Sequence, residues 1–89
     1  NNEIDPGISI TDLLKLIISK KLFKKDIFIK NNLTFFIELY FSKNIIIFNS
    51  KDRVYSYYKY FLSKISDCNK YNLDIENVLI EFNGKILNG

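Results

Sequence analysis

The 89-residue chain contains no histidine, methionine, tryptophan, alanine or glutamine, and only one cysteine, one proline and three glycines. The missing histidine removes the side chain that most often transfers protons or binds metals near neutral pH. The lone Cys68 excludes an internal disulfide and a Cys/His zinc site. The glycines lie too far apart for a glycine-rich phosphate loop. Composition therefore predicts a chain with no cofactor, no metal site and no catalytic residues of these kinds.

An enzyme built on this chain would need a pair of carboxylates or an activated Cys68, and the sequence shows no pattern for either. A reactive thiolate needs a base or a cation beside it. The nearest cations in the sequence are Lys64 and Lys70, and neither forms a recognisable pair with the cysteine. We therefore expect a structural or incidental thiol and a protein that is not an enzyme.

Isoleucine, asparagine, lysine and phenylalanine are abundant, and twelve of the thirteen basic residues are lysine. These residues have A/T-rich codons, so the bias indicates a GC-poor genome. The net charge of +3 reflects that bias in part and does not by itself predict nucleic-acid binding. Hydrophobic residues make up 47% of the chain, with eight Phe and six Tyr, which is typical of a packed globular domain.

Residues 1–7 are polar and contain Pro6-Gly7, which predicts a flexible N-terminal arm followed by one domain over residues 8–89. No basic segment followed by an apolar stretch opens the chain, so we expect no signal peptide. The most apolar stretch is too short and too polar to span a bilayer. We therefore expect an intracellular, cytoplasmic protein. Because the chain begins with Asn1 and not Met, it can also be a piece of a longer protein.

Two segments have the apolar spacing of amphipathic helices. The first begins at Ser9, a predicted N-cap with Asp12 in capping-box position, and its apolar stripe continues to Leu22. The second has a stripe from Val54 to Ile65, with Asn49 or Ser50 as its cap and an expected end between residues 66 and 69.

Between these helices the pattern predicts β-strands. Residues 26–30 are rich in β-branched and aromatic side chains, and the odd positions from Leu33 to Phe41 are all apolar while the even ones are mixed. A tight connection over residues 42–44 then leads to an apolar strand, Ile45 to Phe48. The stretch 33–48 therefore predicts a β-hairpin with one buried face.

The C-terminal stretch fits two structures. Val78 to Phe82, Asn83-Gly84 and Lys85 to Leu87 resemble a β-hairpin with a type I′ turn. The same residues fit a short helix with Asp74 as N-cap, and the isoleucine and valine content favours the hairpin. The predicted fold class is α+β, with two helices on one face of a small antiparallel sheet. The order is α-β-β-β-α, then the hairpin or short helix.

Two surfaces are candidate binding sites. The outer face of the central strand carries Phe36, Glu38 and Tyr40, and an uncovered sheet face with two aromatics predicts a protein interface. The second helix interleaves tyrosines with cations, a combination suited to stacking bases and meeting phosphates. The spacing predicts two neighbouring rows on its outer face: Lys51, Tyr55 and Lys59, and Arg53, Tyr57, Tyr60 and Lys64. Tyrosines that only border the core are the simpler interpretation of that face. The residues of this second candidate are Lys51, Arg53, Tyr55, Lys59 and Tyr60, with Lys20 and Lys24 from the first helix.

These features favour a non-catalytic protein–protein interaction module, such as a docking domain, an assembly subunit or a small inhibitor of the immunity-protein kind. The alternative is a domain that binds RNA or single-stranded nucleic acid through the Lys/Tyr helix face. A protein partner is the first expectation and nucleic acid the second, and the sequence leaves homo-oligomerisation open.

Overall fold

The computed structural model describes residues 6–44 and 51–88, with side chains in the second range from residue 53 onward. No strand occurs in these two ranges, so the predicted α+β fold and its antiparallel sheet are wrong, and the described chain is helical. The helices are α1 (Ile10–Ser19), α2 (Leu22–Lys25), α3 (Ile27–Asn31), α4 (Leu33–Asn44), α5 (Lys51–Tyr71) and α6 (Glu76–Phe82), which continues into a π-helical turn (Asn83–Leu87).

Helix α1 confirms the first predicted helix and its cap. The Ser9 hydroxyl accepts a hydrogen bond from the Asp12 N–H at 3.1 Å, which satisfies one of the free donors of the first turn. The helix is shorter than its apolar stripe, because Lys21 adopts a left-handed conformation with φ of 53°. The chain turns there, and Leu22 reaches the core from the next helix.

Residues 26–30, predicted as a strand, form the start of α3. The Asp26 side chain is the cause, since its Oδ1 accepts from the N–H groups of Phe28 (2.9 Å) and Ile29 (3.3 Å). An aspartate that caps in this way favours a helix over an extended chain. The Asn32 side chain closes the other end by donating to the Phe28 carbonyl at 2.8 Å.

Residues 33–41, predicted as an alternating strand, lie in α4. Leu33, Ile37 and Phe41 are buried at four-residue intervals, and a step of four fits both a helical stripe and a strand of period two. Two other positions distinguish a helix from a strand in this segment. Tyr40, expected on the outer face, is only 5% exposed, whereas Phe35, expected inside, is 56% exposed.

Helix α5 confirms the second predicted helix, although it is longer than expected. Its buried positions include Val54, Phe61 and Ile65 of the predicted stripe. The helix ends where Asn72 takes a left-handed φ of 56° and the Leu73 N–H bonds the Cys68 carbonyl at 2.9 Å. The predicted caps at residues 49–50, the strand over residues 45–48 and residues 1–5 of the predicted arm lie outside the described residues.

The predicted C-terminal hairpin is wrong, because residues 76–87 are helical. Asp74 supports the first turn, since its Oδ1 accepts from the Glu76 N–H at 3.0 Å. The helix does not stop at Gly84 and instead widens into the π-helical turn, which the Asn88 N–H closes on the Asn83 carbonyl at 2.9 Å.

A cluster of aromatic rings holds the helices together. The Phe82 ring of α6 lies 5.1 Å from Phe61 of α5, and 5.8 and 6.1 Å from Tyr40 and Phe41 of α4, all in edge-to-face geometry. Such pairs add roughly 0.5–1.5 kcal/mol each beyond the area they bury. Helix α1 packs on α4 and on the π-helical turn. The contacts between elements therefore form a closed circuit, from α1 to α4, α5, α6, the π-helical turn and back to α1.

Tyr40 and Phe35 allow a direct test of helix against strand in residues 33–44. Tyr40→Ala should lower the free energy of unfolding by about 3–5 kcal/mol, as other buried aromatic truncations do. Phe35→Ala should cost about 1 kcal/mol or less, because most of its ring is in water. Chemical denaturation of both variants measures the two values. A larger loss of stability in Phe35→Ala than in Tyr40→Ala would indicate the predicted strand and contradict helix α4.

Candidate interaction surfaces

Four apolar side chains of α3 and α4 form an exposed cluster, called here the apolar patch: Ile27, Phe28, Phe35 and Phe36. Ile27 and Phe28 are 68% and 65% exposed, and Phe36 is half-buried. The Phe36 ring joins the two helices, since its centroid lies 6.5 Å from that of Phe28 and 5.9 Å from that of Phe35. The three phenylalanines therefore make up one surface, and Ile27 is the exposed residue before Phe28 on α3.

The patch follows from runs of large apolar residues on short helices. Residues 27–29 and 35–37 are each three consecutive large apolar side chains, and successive residues of a helix point about 100° apart. Only one side chain of each run is buried in the core: Ile29 in the first run and Ile37 in the second. Sequence reasoning missed Ile27, Phe28 and Phe35 as surface residues because it assigned both runs to strands.

The predicted interface of Phe36, Glu38 and Tyr40 does not form one face. Phe36 belongs to the apolar patch, and Glu38 is exposed on α4. Tyr40 is buried against Phe41 and Phe82, and burial raises the pKa of its phenol above the ordinary value. The sheet on which this interface was expected is absent from the described residues.

Helix α5 pairs its exposed cations with its tyrosines. The cationic groups lie 5.4–5.7 Å from the ring centroids, within range of a cation–π contact. Each pair is four residues apart, so the predicted rows on the outer face of this helix are present. The Lys51 side chain lies outside the described residues. The pairs are Arg53 with Tyr57, Tyr55 with Lys59, and Tyr60 with Lys64.

A groove of about 360 Å³, called here the α5 groove, lies between α5 and the π-helical turn. Its lining residues are Arg53, Ser56, Tyr57, Tyr60 and Lys85. Sequence reasoning found Arg53 and Tyr60 here but missed Lys85, which it had placed in a hairpin. The π-helical turn brings Lys85 to the groove while Ile86 beside it is buried.

Glu81 of α6 fixes the orientation of two residues of the groove. The Tyr60 hydroxyl donates to its carboxylate at 2.8 and 3.0 Å, and Lys85 Nζ lies 3.2 Å from Oε2. The hydrogen bond to Glu81 raises the pKa of Tyr60, and the same bond lowers the pKa of Glu81. Both groups therefore keep their ordinary forms, a neutral phenol and a charged carboxylate, at neutral pH.

The other predicted cations, Lys20 and Lys24, do not line the α5 groove. Lys24 Nζ lies 2.7 Å from Glu76 Oε1, and Lys21 Nζ lies 3.2 Å from Oε2 of the same carboxylate. Glu76 opens α6, nine residues before Lys85, a helical distance of about 14 Å at 1.5 Å per residue. The cluster at Glu76 thus connects α2 to α6, and Lys20 is exposed at the end of α1.

Cys68, the predicted exception for an enzyme, is buried near the end of α5. Its Sγ lies 3.9 Å from the Asp74 carbonyl oxygen, so the thiol packs where the chain turns toward α6. Within residues 6–44 and 51–88, no group of three or more His, Cys, Asp or Glu side chains could hold a metal ion. None of the described helices is long and apolar enough to cross a bilayer.

No family model, no curated protein and no solved structure matches this chain. Its function is therefore inferred from the surfaces alone. Of these, the apolar patch and the α5 groove each bring several candidate side chains together.

The Glu76 cluster predicts a pH dependence. Its hydrogen bonds from Lys24 and Lys21 lower the pKa of Glu76 below the ordinary 4.5. A lowered carboxyl pKa adds stability that is complete above the ordinary value and is lost as the pH falls through the folded value. Glu76→Gln should therefore melt below the parent at neutral pH, and the two melting temperatures should converge in acid.

Thermal unfolding from neutral pH to about pH 3 measures that convergence. Glu38→Gln, at an exposed glutamate of α4, removes the same charge and serves as the control. If the difference between Glu76→Gln and the parent persists unchanged in acid, the ion pairs at Glu76 do not contribute to stability.

Proposed function

We propose that this chain is a non-catalytic protein-interaction module whose contact surface is the apolar patch. The supporting observation is the exposure of Phe28 and Phe35, each more than half in water and joined through Phe36, with the exposed Ile27 next to Phe28. Contiguous exposed apolar side chains are typical of protein interaction sites, because covering them is favourable by roughly 25 cal/mol per Å² of apolar surface.

The composition of the patch supports a protein partner. Aromatic side chains are enriched at the centres of protein interfaces, where they bury large areas at a small entropy cost. Exposed polar residues of the same two helices, Lys30, Asn31 and Thr34, provide the polar surroundings that such centres have. No cation–π contact or ion pair described for this chain involves Phe28 or Phe35, so the two rings act as apolar surface.

The number of residues in the patch indicates its role within a larger contact. A stable interface buries about 800 Å² on each partner, more than the four side chains of the patch provide. The patch is therefore the central part of such an interface, and neighbouring residues complete it. The interaction would depend strongly on one or two aromatic rings, as most interfaces do.

Phe28→Ser with Phe35→Ser tests the patch. The parent chain and this variant are each incubated with extracts of the source, and the bound partners are quantified after cross-linking. The variant should recover at least about tenfold less partner than the parent, because central aromatics contribute about 2 kcal/mol or more each. Its melting temperature should change little, because both rings are largely in water.

Leu73→Ser with Ile80→Ser provides the matched control, since these two apolar side chains are similarly exposed but lie elsewhere, after α5 and on α6. The control should retain the partners. Equal recovery by the parent and the Phe28/Phe35 variant would contradict the proposal, as would an equal loss with the control. Light scattering on the purified chain shows whether the partner is a second copy.

A further inference from the structure

We propose that the α5 groove and the exposed face of α5 beside it bind single-stranded nucleic acid, with a base stacked on Tyr60 and the neighbouring phosphates held by Arg53, Lys64 and Lys85. This surface is separate from the apolar patch, so the inference is independent of the proposed interaction module. Three features carry it: the support of the rings, the placement of the cations and the scarcity of acids.

The two tyrosines of the groove are held rigidly by the core. Phe61 is fully buried, and its ring stacks on Tyr57 at 6.3 Å and 24° and lies perpendicular to the Tyr60 ring at 5.0 Å and 83°. The bond from Tyr60 to Glu81 fixes its outer end. Rings ordered before binding lose little entropy when a base stacks on them, and such stacking is worth about 1–3 kcal/mol per base.

Cations lie next to these rings. The Arg53 guanidinium is 5.7 Å from the Tyr57 ring, and Lys64 Nζ is 5.6 Å from the Tyr60 ring. The two residues are about 16 Å apart along the helix at 1.5 Å per residue, which spans more than one phosphate of a strand. Lys85 lines the groove from its other side. A strand with one base in the groove therefore has Arg53 and Lys64 along α5, and Lys85 on the other side can exchange its ion pair with Glu81 for a phosphate.

Acidic residues are few on this part of the surface. Residues 53–66 of α5 contain Arg53, Lys59 and Lys64 but no aspartate or glutamate, and Asp52 and Asp67 stand at the two ends of this stretch in the sequence. Glu81, which adjoins the groove, has its carboxylate held by Tyr60 and Lys85. Residues 53–66 of α5 therefore carry a net positive charge, which favours contact with the phosphate backbone.

The geometry favours a single strand over a duplex. A base can stack on a protein ring only when it is unstacked from its own neighbours, as in single strands and loops. An acidic or phosphorylated peptide would use the cations but would gain nothing from the tyrosine rings. The tyrosine rings therefore favour a single-stranded nucleic acid over an acidic peptide.

Fluorescence anisotropy with labelled oligouridylate and oligothymidylate tests the inference on the full chain, with a blunt duplex of equal length as comparison. Both single strands should bind more tightly than the duplex, and the affinity should fall as salt rises. Arg53→Gln with Lys64→Gln should reduce the slope of log affinity against log salt by about 1.4, since each phosphate contact in a single strand contributes about 0.7.

Lys15→Gln with Lys43→Gln is the matched control, because it removes the same charge from exposed lysines of α1 and α4. That variant should keep the slope of the parent. Absence of single-strand binding at low salt, a preference for the duplex, or an equal change with both pairs of substitutions would overturn the inference.

Tyr60 tests the stacking step separately. Tyr60→Phe keeps the ring and loses the hydroxyl that bonds Glu81, so it should bind within about twofold of the parent, whereas Tyr60→Leu should bind about fivefold more weakly or worse. Equal binding by the two variants would overturn the inference, because binding that depends on charge alone does not use the ring.

Discussion

Phe82 is the residue through which the last helix holds the others in place, because its ring meets Tyr40 and Phe41 of α4 and Phe61 of α5. Helix α6 has only seven residues, and an isolated helix of that length is not stable in water. Its helical state must therefore come from packing. The same packing carries the π-helical turn back to α1 and closes the circuit of helix contacts.

Both proposed surfaces are consequences of this core. In α4 the core takes Tyr40 and Phe41, and the helical period then leaves Phe35 in water. In α5 the core takes Phe61, whose ring also supports Tyr57 and Tyr60 of the groove. The apolar patch thus includes the outer side of α4, and the α5 groove combines the outer side of α5 with Lys85 from the π-helical turn.

The sequence predicts α1 and α5 correctly because each has a continuous apolar stripe, and it predicts the Tyr55–Lys59 row from spacing alone. It fails for α4, where Leu33 and Ile37 fit both periods and the residues between them are also apolar. A GC-poor composition adds isoleucine, phenylalanine and asparagine to every segment, so strand and turn propensities rise even in helices. Tertiary packing overrides them, and the apolar patch becomes visible only once residues 27–29 and 35–37 are known to be helical.

Amide hydrogen exchange on Phe82→Ala, compared with the parent chain, tests most directly whether the aromatic cluster holds the fold together. Removing the ring takes away contacts to α4 and α5 at once, so protection should fall together in α4, α5 and α6 by a similar free energy, about 3–5 kcal/mol for a buried aromatic. Loss of protection confined to residues 76–87, with α4 and α5 as stable as in the parent, would contradict the account.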